Sequence, residues 1–213
     1  MSKIPVAVVT GQHNFDVPGF QWLLNSMPEI DFYLQDLDNF VSDEGGFNRN
    51  YQAVIFYNFH QLVPSANDPR DAKLIQTINQ ITENGQGLLV LHHAILAFPE
   101  WDVWNQIVGI PNRNFEYAND QIVQTDIITQ DHPITTGLQG WQMVDEIYDM
   151  NDVSRDSNII LTTTHPKSMQ FLAWTRQYKN SRVFCYQSGH DNRAFSDMNF
   201  RQVISQGLDW LVT

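Results

Sequence analysis

Apolar residues in this chain follow two rhythms, and the change comes about halfway along. Short unbroken runs come first: Val6-Ala7-Val8-Val9-Thr10, Ala53-Val54-Ile55-Phe56-Tyr57 and Gly87-Leu88-Leu89-Val90-Leu91. Runs this short, bounded by Gly or by turn formers, predict strands covered on both faces, as in a parallel sheet. Asp31-Phe32-Tyr33-Leu34 predicts one more strand. Between the runs the spacing becomes helical. Phe20, Leu23, Leu24 and Met27 share one face over 18–27, and Leu74, Ile75, Ile78 and Ile81 form a stripe over 68–84. Pro69 suits the first turn of the second helix and Gly85 its end. A short helix over 101–108 stops before Gly109. Strands alternating with helices predict an α/β domain with a doubly wound, mostly parallel sheet.

Beyond residue 112 the pattern weakens to imperfect alternation over 121–129, 143–148 and 158–163, which predicts an added antiparallel or mixed region at the sheet edge. The segments 170–174 and 182–186 read as a hairpin-like pair. The stretch 199–211 reads as a closing amphipathic helix, with Val203, Ile204, Leu208 and Leu211 inward. No repeat, low-complexity tract or linker interrupts the chain, so residues 1–213 read as a single domain.

Composition narrows the partners more than the fold. With 42% hydrophobic and 17% charged residues, the chain can bury a full core. Twelve basic residues against 24 acidic ones give a net charge of -12, which argues against nucleic acid and anionic membrane as partners. A neutral sugar remains compatible. No apolar stretch approaches the roughly 18 residues of a membrane span. The start, Met1-Ser2-Lys3-Ile4-Pro5, passes directly into a strand pattern, so no leader segment is expected. The single Cys185 rules out an internal disulfide and points to the cytoplasm.

The candidate chemistry is imidazole at strand ends. Leu91-His92-His93-Ala94 follows one apolar run, and Ser188-Gly189-His190-Asp191 follows another, Arg182-Val183-Phe184-Cys185-Tyr186. In an open α/β sheet the carboxyl edge of the strands is where ligands bind. Histidine can serve there as acid, base or metal ligand. Adjacent residues point different ways, so one of His92 and His93 is expected in the site and the other packed. Asp191 either orients an imidazole or caps the following segment. In Asp145-Glu146-Ile147-Tyr148, strand alternation puts Glu146 and Tyr148 on one face and Asp145 on the other. The competing reading is a solvated acidic turn.

His13 and Asn14 follow the first strand and are candidates for substrate hydrogen bonding. His132 reads as structural, and His60 and His165 as structural or surface residues. Trp101, Trp104, Trp141 and Trp174 could stack on a sugar ring, although aromatic residues more commonly fill cores. Cys185 lies within a strand and has no His beside it, so a catalytic thiol is not expected.

The ordered set of motifs resembles one family. It runs through Glu83-Asn84-Gly85-Gln86-Gly87-Leu88-Leu89-Val90-Leu91-His92, Asp131-His132-Pro133-Ile134 and Asp145-Glu146-Ile147-Tyr148. Arg182-Val183-Phe184 then leads into Gly189-His190-Asp191, and Gly207-Leu208-Asp209-Trp210 closes the series. The chain resembles the ThuA-like, trehalose-utilisation family over nearly its whole length. That resemblance implies the fold of class I glutamine amidotransferases. The family pattern is matched by His92, His132, Glu146 with Tyr148, and His190 with Asp191. The chain departs where Lys179-Asn180-Ser181 replaces a Gly-Lys-Gly-like turn and where 96–121 aligns poorly.

The resemblance implies a disaccharide or keto-sugar substrate and no glutaminase activity; the absence of Cys at the strand-to-helix elbow agrees. The sequence thus predicts a sugar-related enzyme. His92, His190 and Glu146 are its acid–base or metal-binding groups, and His13, Asn14, His93, Tyr148 and Asp191 line the substrate. Two imidazoles and a carboxylate suit Zn²⁺ or Mn²⁺ better than Mg²⁺. The alternative is a non-catalytic sugar-binding or complex-forming domain. A homodimer is compatible with such a sheet, without a sequence signature for one.

Overall fold

The computed structural model describes residues 3–213; Met1 and Ser2 of the expected strand entry lie outside them. In chain order the elements are β1 Ile4–Gly11, α1 Val17–Asn25, β2 Ile30–Asp36, α2 Leu37–Ser42, β3 Ala53–Asn58, α3 Pro69–Glu83, β4 Gly87–Leu91 and α4 Asp102–Val108. There follow β5 Phe115–Ile127, β6 Trp141–Met150, β7 Asn158–Thr162, β8 Phe171–Tyr178, β9 Ser181–Tyr186, α5 Asn192–Phe195 and α6 Met198–Val212. The helix α2 was not expected. It is only 6 residues long, too short for periodicity to register, and the Asp36 carboxylate caps it by accepting from the Asn39 N–H. It supplies the crossover that parallel β2 and β3 require.

One nine-stranded sheet has the order β2-β1-β3-β4-β9-β8-β7-β5-β6. The strands from β2 through β4 to β9 pair in parallel. From β9 outward every pairing is antiparallel. The fold is therefore α/β with a mixed sheet, and the expected β8–β9 hairpin is present. Apolar side chains of the parallel half alternate between two cores. Val6, Val8, Ile55, Leu89 and Phe184 pack on one face with α1 and α6. Ala7, Val9, Val54, Phe56, Val90 and Cys185 pack on the other with α2, α3 and α4. This two-sided burial is why the strands read as unbroken apolar runs. Gly207 of α6 lies so close to β9 that an added Cβ would sit 2.6 Å from the Phe184 ring. Among the described residues no helix is long and apolar enough to cross a membrane.

Two features position the site. The chain runs from β1 to one side of the sheet and, after β3, to the other side, so a crevice opens at the carboxyl ends near β1 and β3. In addition, β5 pairs with β7 only at Asp126 and Ile127, and its remaining length pairs with β6. In a flat sheet β6 would lie about 19 Å from β9, four strand spacings away. Instead the β5–β6 arm curls back over the carboxyl edge, where the Tyr148 hydroxyl of β6 lies 2.8 Å from the His92 ring that follows β4.

Candidate functional site

His92 follows β4 with a φ of 53°, in the left-handed region that non-glycine residues rarely occupy. Its imidazole is fully buried. The Nδ1–H donates to the Gln187 carbonyl at 2.7 Å, since a carbonyl only accepts, and this turns Nε2 toward the cluster. Nε2 faces the Tyr148 hydroxyl at 2.8 Å, His190 Nδ1 at 3.3 Å and Glu146 Oε1 at 3.5 Å. His190 Nδ1 lies 3.6 Å from the same Glu146 oxygen. Two imidazole nitrogens and one carboxylate oxygen therefore converge from β4, β9 and the curled-back β6, all within 4.8 Å of one another.

The electrostatics of this cluster follow from its burial. Burial pushes the Glu146 carboxyl up, but hydrogen bonding and attraction from His92, then Tyr148 and His190, leave it below its usual value. Burial and the Glu146 charge hold the Tyr148 phenol well above its ordinary value, so Tyr148 is a hydrogen-bond donor here. Asp145 points to the other side of β6, as alternation predicts. Both acids are buried, which removes the solvated-turn reading. Asp145 accepts from three main-chain N–H groups, those of Glu146, Gly189 and His190. Burial raises its pKa despite the opposing pull of His92 and those N–H groups. The Tyr57 hydroxyl donates to the carbonyls of Gly189 and His190 at 2.8 and 3.2 Å. Gly189 has a φ of 122°, a turn suited to glycine, and its Cα lies against Phe200.

A cavity of about 370 Å³ opens onto the cluster, lined by His13, Phe59, His93, Phe115, Tyr117, Asn119, Glu146, Tyr148 and His190 among others. The two adjacent histidines point different ways, as expected, but neither is packed away from the site. His92 presents only Nε2 to the cluster from behind, while His93 lines the cavity wall. His93 Nε2–H donates to the Tyr57 carbonyl at 3.1 Å, and its ring stacks on His13 at 4.2 Å between centroids. The buried Nδ1 atoms of His13 and His93 have no protein partner. Asn14 is exposed and does not line the cavity. Asp191 caps α5 through the Arg193 N–H and pairs with the Arg193 guanidinium. Arg193 also pairs with Asp120 at the β5 bulge, tying the arm to the His190 turn.

Sequence reasoning missed Tyr57, Asp145 and Gln187 as supports of the site. Each acts through the main chain or from a distant strand, so no local spacing marks it. Trp101, Trp104, Trp141 and Trp174 are all core residues. The aromatic faces in the cavity are instead Phe59, Phe115, Tyr117 and Tyr148. A larger cavity of about 490 Å³ lies beside α2 and α3 and includes Gln12, His60 and Phe98. No convergent metal-ligand set lies in it among the described residues.

The His93 imidazole is pushed down to about 2, first by burial and then by His92 and His13. Unfolding frees an imidazole that protonates near 6.5. The associated stability is fully present above that pH and is lost progressively as pH falls from about 6.5 towards 2, by at most about 2 kcal/mol at pH 5. Urea denaturation at pH 7 and pH 5 should show a smaller acid loss for His93→Gln than for the wild type. Equal losses would refute this account of His93.

A family model described as ThuA, trehalose utilisation, matches residues 23–211. Among solved structures, a ThuA-like protein from Parabacteroides merdae superposes with a TM-score of 0.76 at 20% identity, covering 100% of this chain and 91% of the other. A ThuA-like protein from Bacteroides uniformis gives 0.73 at 16% identity, with coverage of 99% and 92%. A glutamine amidotransferase from Thermotoga maritima gives 0.53 at 9% identity, with coverage of 97% and 98%, so the fold is amidotransferase-like. No curated protein matches the sequence.

Proposed function

The chain belongs to the ThuA, trehalose-utilisation, family, and from that premise we propose that it is an enzyme acting on a disaccharide or keto-sugar derivative, with His92, Glu146 and His190 as its reactive centre. The observation carrying this reading is the convergence of two imidazole nitrogens and one carboxylate oxygen, with edges of 3.3, 3.5 and 3.6 Å, at one end of a polar-and-aromatic cavity. Clusters that bring titratable groups together in a cleft mark functional sites.

The donor set fits a divalent ion. A tetrahedral centre with bonds of about 2.0–2.1 Å spaces its ligands about 3.3–3.4 Å apart, close to the edges found here. Two imidazoles with one carboxylate favour Zn²⁺ or Mn²⁺ over Mg²⁺. The Gln187 carbonyl orients His92 in the manner of outer partners at metal sites. His92, Glu146 and His190 would hold such an ion, which would supply Lewis-acid polarisation of a sugar carbonyl.

The chain's own groups do the rest. Where Glu146 is not itself a ligand, this carboxylate, kept ionised by His92, serves as the base for a proton beside a sugar carbonyl. Tyr148 donates a hydrogen bond into the cluster. Phe59, Phe115 and Tyr117 offer flat faces to a pyranose ring, and His13 offers a free ring nitrogen. Glutaminase chemistry has no nucleophile: Cys185 is buried in β9, with its thiol pushed up to about 12 by that burial. The helices on both sheet faces support the doubly wound description, and a cytoplasmic site of action completes the reading.

The test is elemental analysis of the purified protein before and after chelation, followed by Zn²⁺ and Mn²⁺ re-addition and turnover assays on keto-disaccharides. Stoichiometric metal and turnover, both lost in His190→Ala and Glu146→Ala, is the expected result. Turnover retained in both variants would overturn the site assignment. Sugar affinity without turnover in the wild type would identify a binding domain instead.

A further inference from the structure

Asp145 carries a buried charge that the proposed chemistry does not use. Its side chain is 1% exposed at the residue level, yet it has no Lys or Arg partner among the described residues. Oδ1 accepts from the N–H groups of Glu146 and His190 at 2.9 and 3.0 Å, and Oδ2 from that of Gly189 at 2.8 Å. All three partners are donors, an arrangement that favours the carboxylate over the acid. A buried charge held only by dipoles is costly unless a counter-charge lies nearby. Its neighbour along β6 is Glu146, a second carboxylate, and the groups facing the pair are the His92 and His190 imidazoles. Among the described residues no Lys or Arg side chain pairs with either carboxylate.

We propose that Asp145, which touches no ligand atom itself, sets the charge of this pocket so that it takes a divalent cation, and at the same time positions His190 by gripping its main chain. The inference rests on the metal-assisted reading above and adds to it an anion outside the ligand set. The two roles can be separated because the same turn is gripped from its other side. The Tyr57 hydroxyl holds the Gly189 and His190 carbonyls, and Tyr57 contributes no charge. Removing that hydroxyl perturbs position alone, whereas removing the Asp145 carboxylate perturbs position and charge together.

The experiment is calorimetric titration of the chelator-treated protein with Zn²⁺, in parallel with Co²⁺ titrations read by visible absorption. Wild type is compared with Asp145→Asn, Asp145→Ser and Tyr57→Phe. The wild type is expected to bind one ion. Both Asp145 variants are expected to lose about 10–100-fold in affinity, the range for outer partners of metal ligands. Their Co²⁺ band positions should stay near those of the wild type, since all three ligands remain. Tyr57→Phe is expected to lose about threefold or less, well under that range. Asp145→Ser keeps an acceptor oxygen and covers the case in which Asn, which would present an amide N–H to a main-chain N–H, fails to fold. Affinity unchanged in a folded Asp145 variant would overturn the inference while leaving the metal reading intact. A loss in Tyr57→Phe equal to that in the Asp145 variants would overturn the charge role. A wild type that binds no ion would overturn both this inference and the metal reading.

Discussion

Replacing His92 by asparagine is expected to lower turnover by about 10²–10⁴-fold, the range for removing a positioned proton-transfer group, while leaving the protein folded. The two halves of that expectation come from different properties of one residue. The backbone of His92 sits at a φ of 53°, and asparagine tolerates the left-handed region better than most residues. The side chain places Nε2 within 3.5 Å of Tyr148, His190 and Glu146, and asparagine has no atom that reaches the same point with a lone pair. Alanine at this position would lose the imidazole and keep the backbone strain, at a cost of about 1–2 kcal/mol relative to a residue suited to it. Steady-state kinetics alongside thermal melts separate the outcomes. Turnover within tenfold of wild type in a folded His92→Asn protein would remove His92 from the reactive centre.

The largest loss of stability is expected at Trp104. Its side chain is fully buried in the core beneath α4, with ring edges toward Phe56 and Phe98. Trp104→Ala leaves a cavity among rigid neighbours and should cost about 3–5 kcal/mol in urea denaturation. The same substitution removes one of two donors to the Ala94 carbonyl, which accepts from the indole Nε1 at 3.0 Å and from the Ala97 N–H at 3.2 Å within the turn that carries His92 and His93. Trp22→Ala is the control. Trp22 is 60% exposed, and its removal should change stability by about 0.5 kcal/mol or less. Similar losses for the two variants would contradict the assignment of Trp104 to the core.

What could be read from the sequence depended on how local the signal was. The parallel strands showed plainly because burial on both faces makes each one an unbroken apolar run. Strand ends then marked His92 and His190, and period-two alternation paired Glu146 with Tyr148. The helix α2 escaped because six residues make less than two turns. The start of β5 at Phe115 escaped because its first half is partly exposed on both sides and shows no alternation. Asp145 was placed on the correct side of its strand, but nothing in the sequence says that the other side is occupied by the main chain of Gly189 and His190. Asn14 and Asp191 were candidates by proximity alone. The structure leaves the first in solvent and gives the second a helix to cap.

The curled β5–β6 arm also governs what any affinity measured at this site means. Glu146 and Tyr148 ride on the arm, whereas His92 and His190 ride on the parallel strands, so the cluster is whole only in molecules whose arm is docked. The arm is held to the main sheet by a short pairing at Asp126 and Ile127, by Val123, Met143 and Ile147 in the core, and at the His190 turn by Asp145 and by the Arg193–Asp120 pair. A ligand that touches both halves binds only the docked population, and its apparent dissociation constant equals the intrinsic one divided by that population's fraction. Loosening this tether of the arm thus lowers affinity without altering one atom of the binding cluster. Ligand and tether act as cooperative partners that stabilise the same closed state.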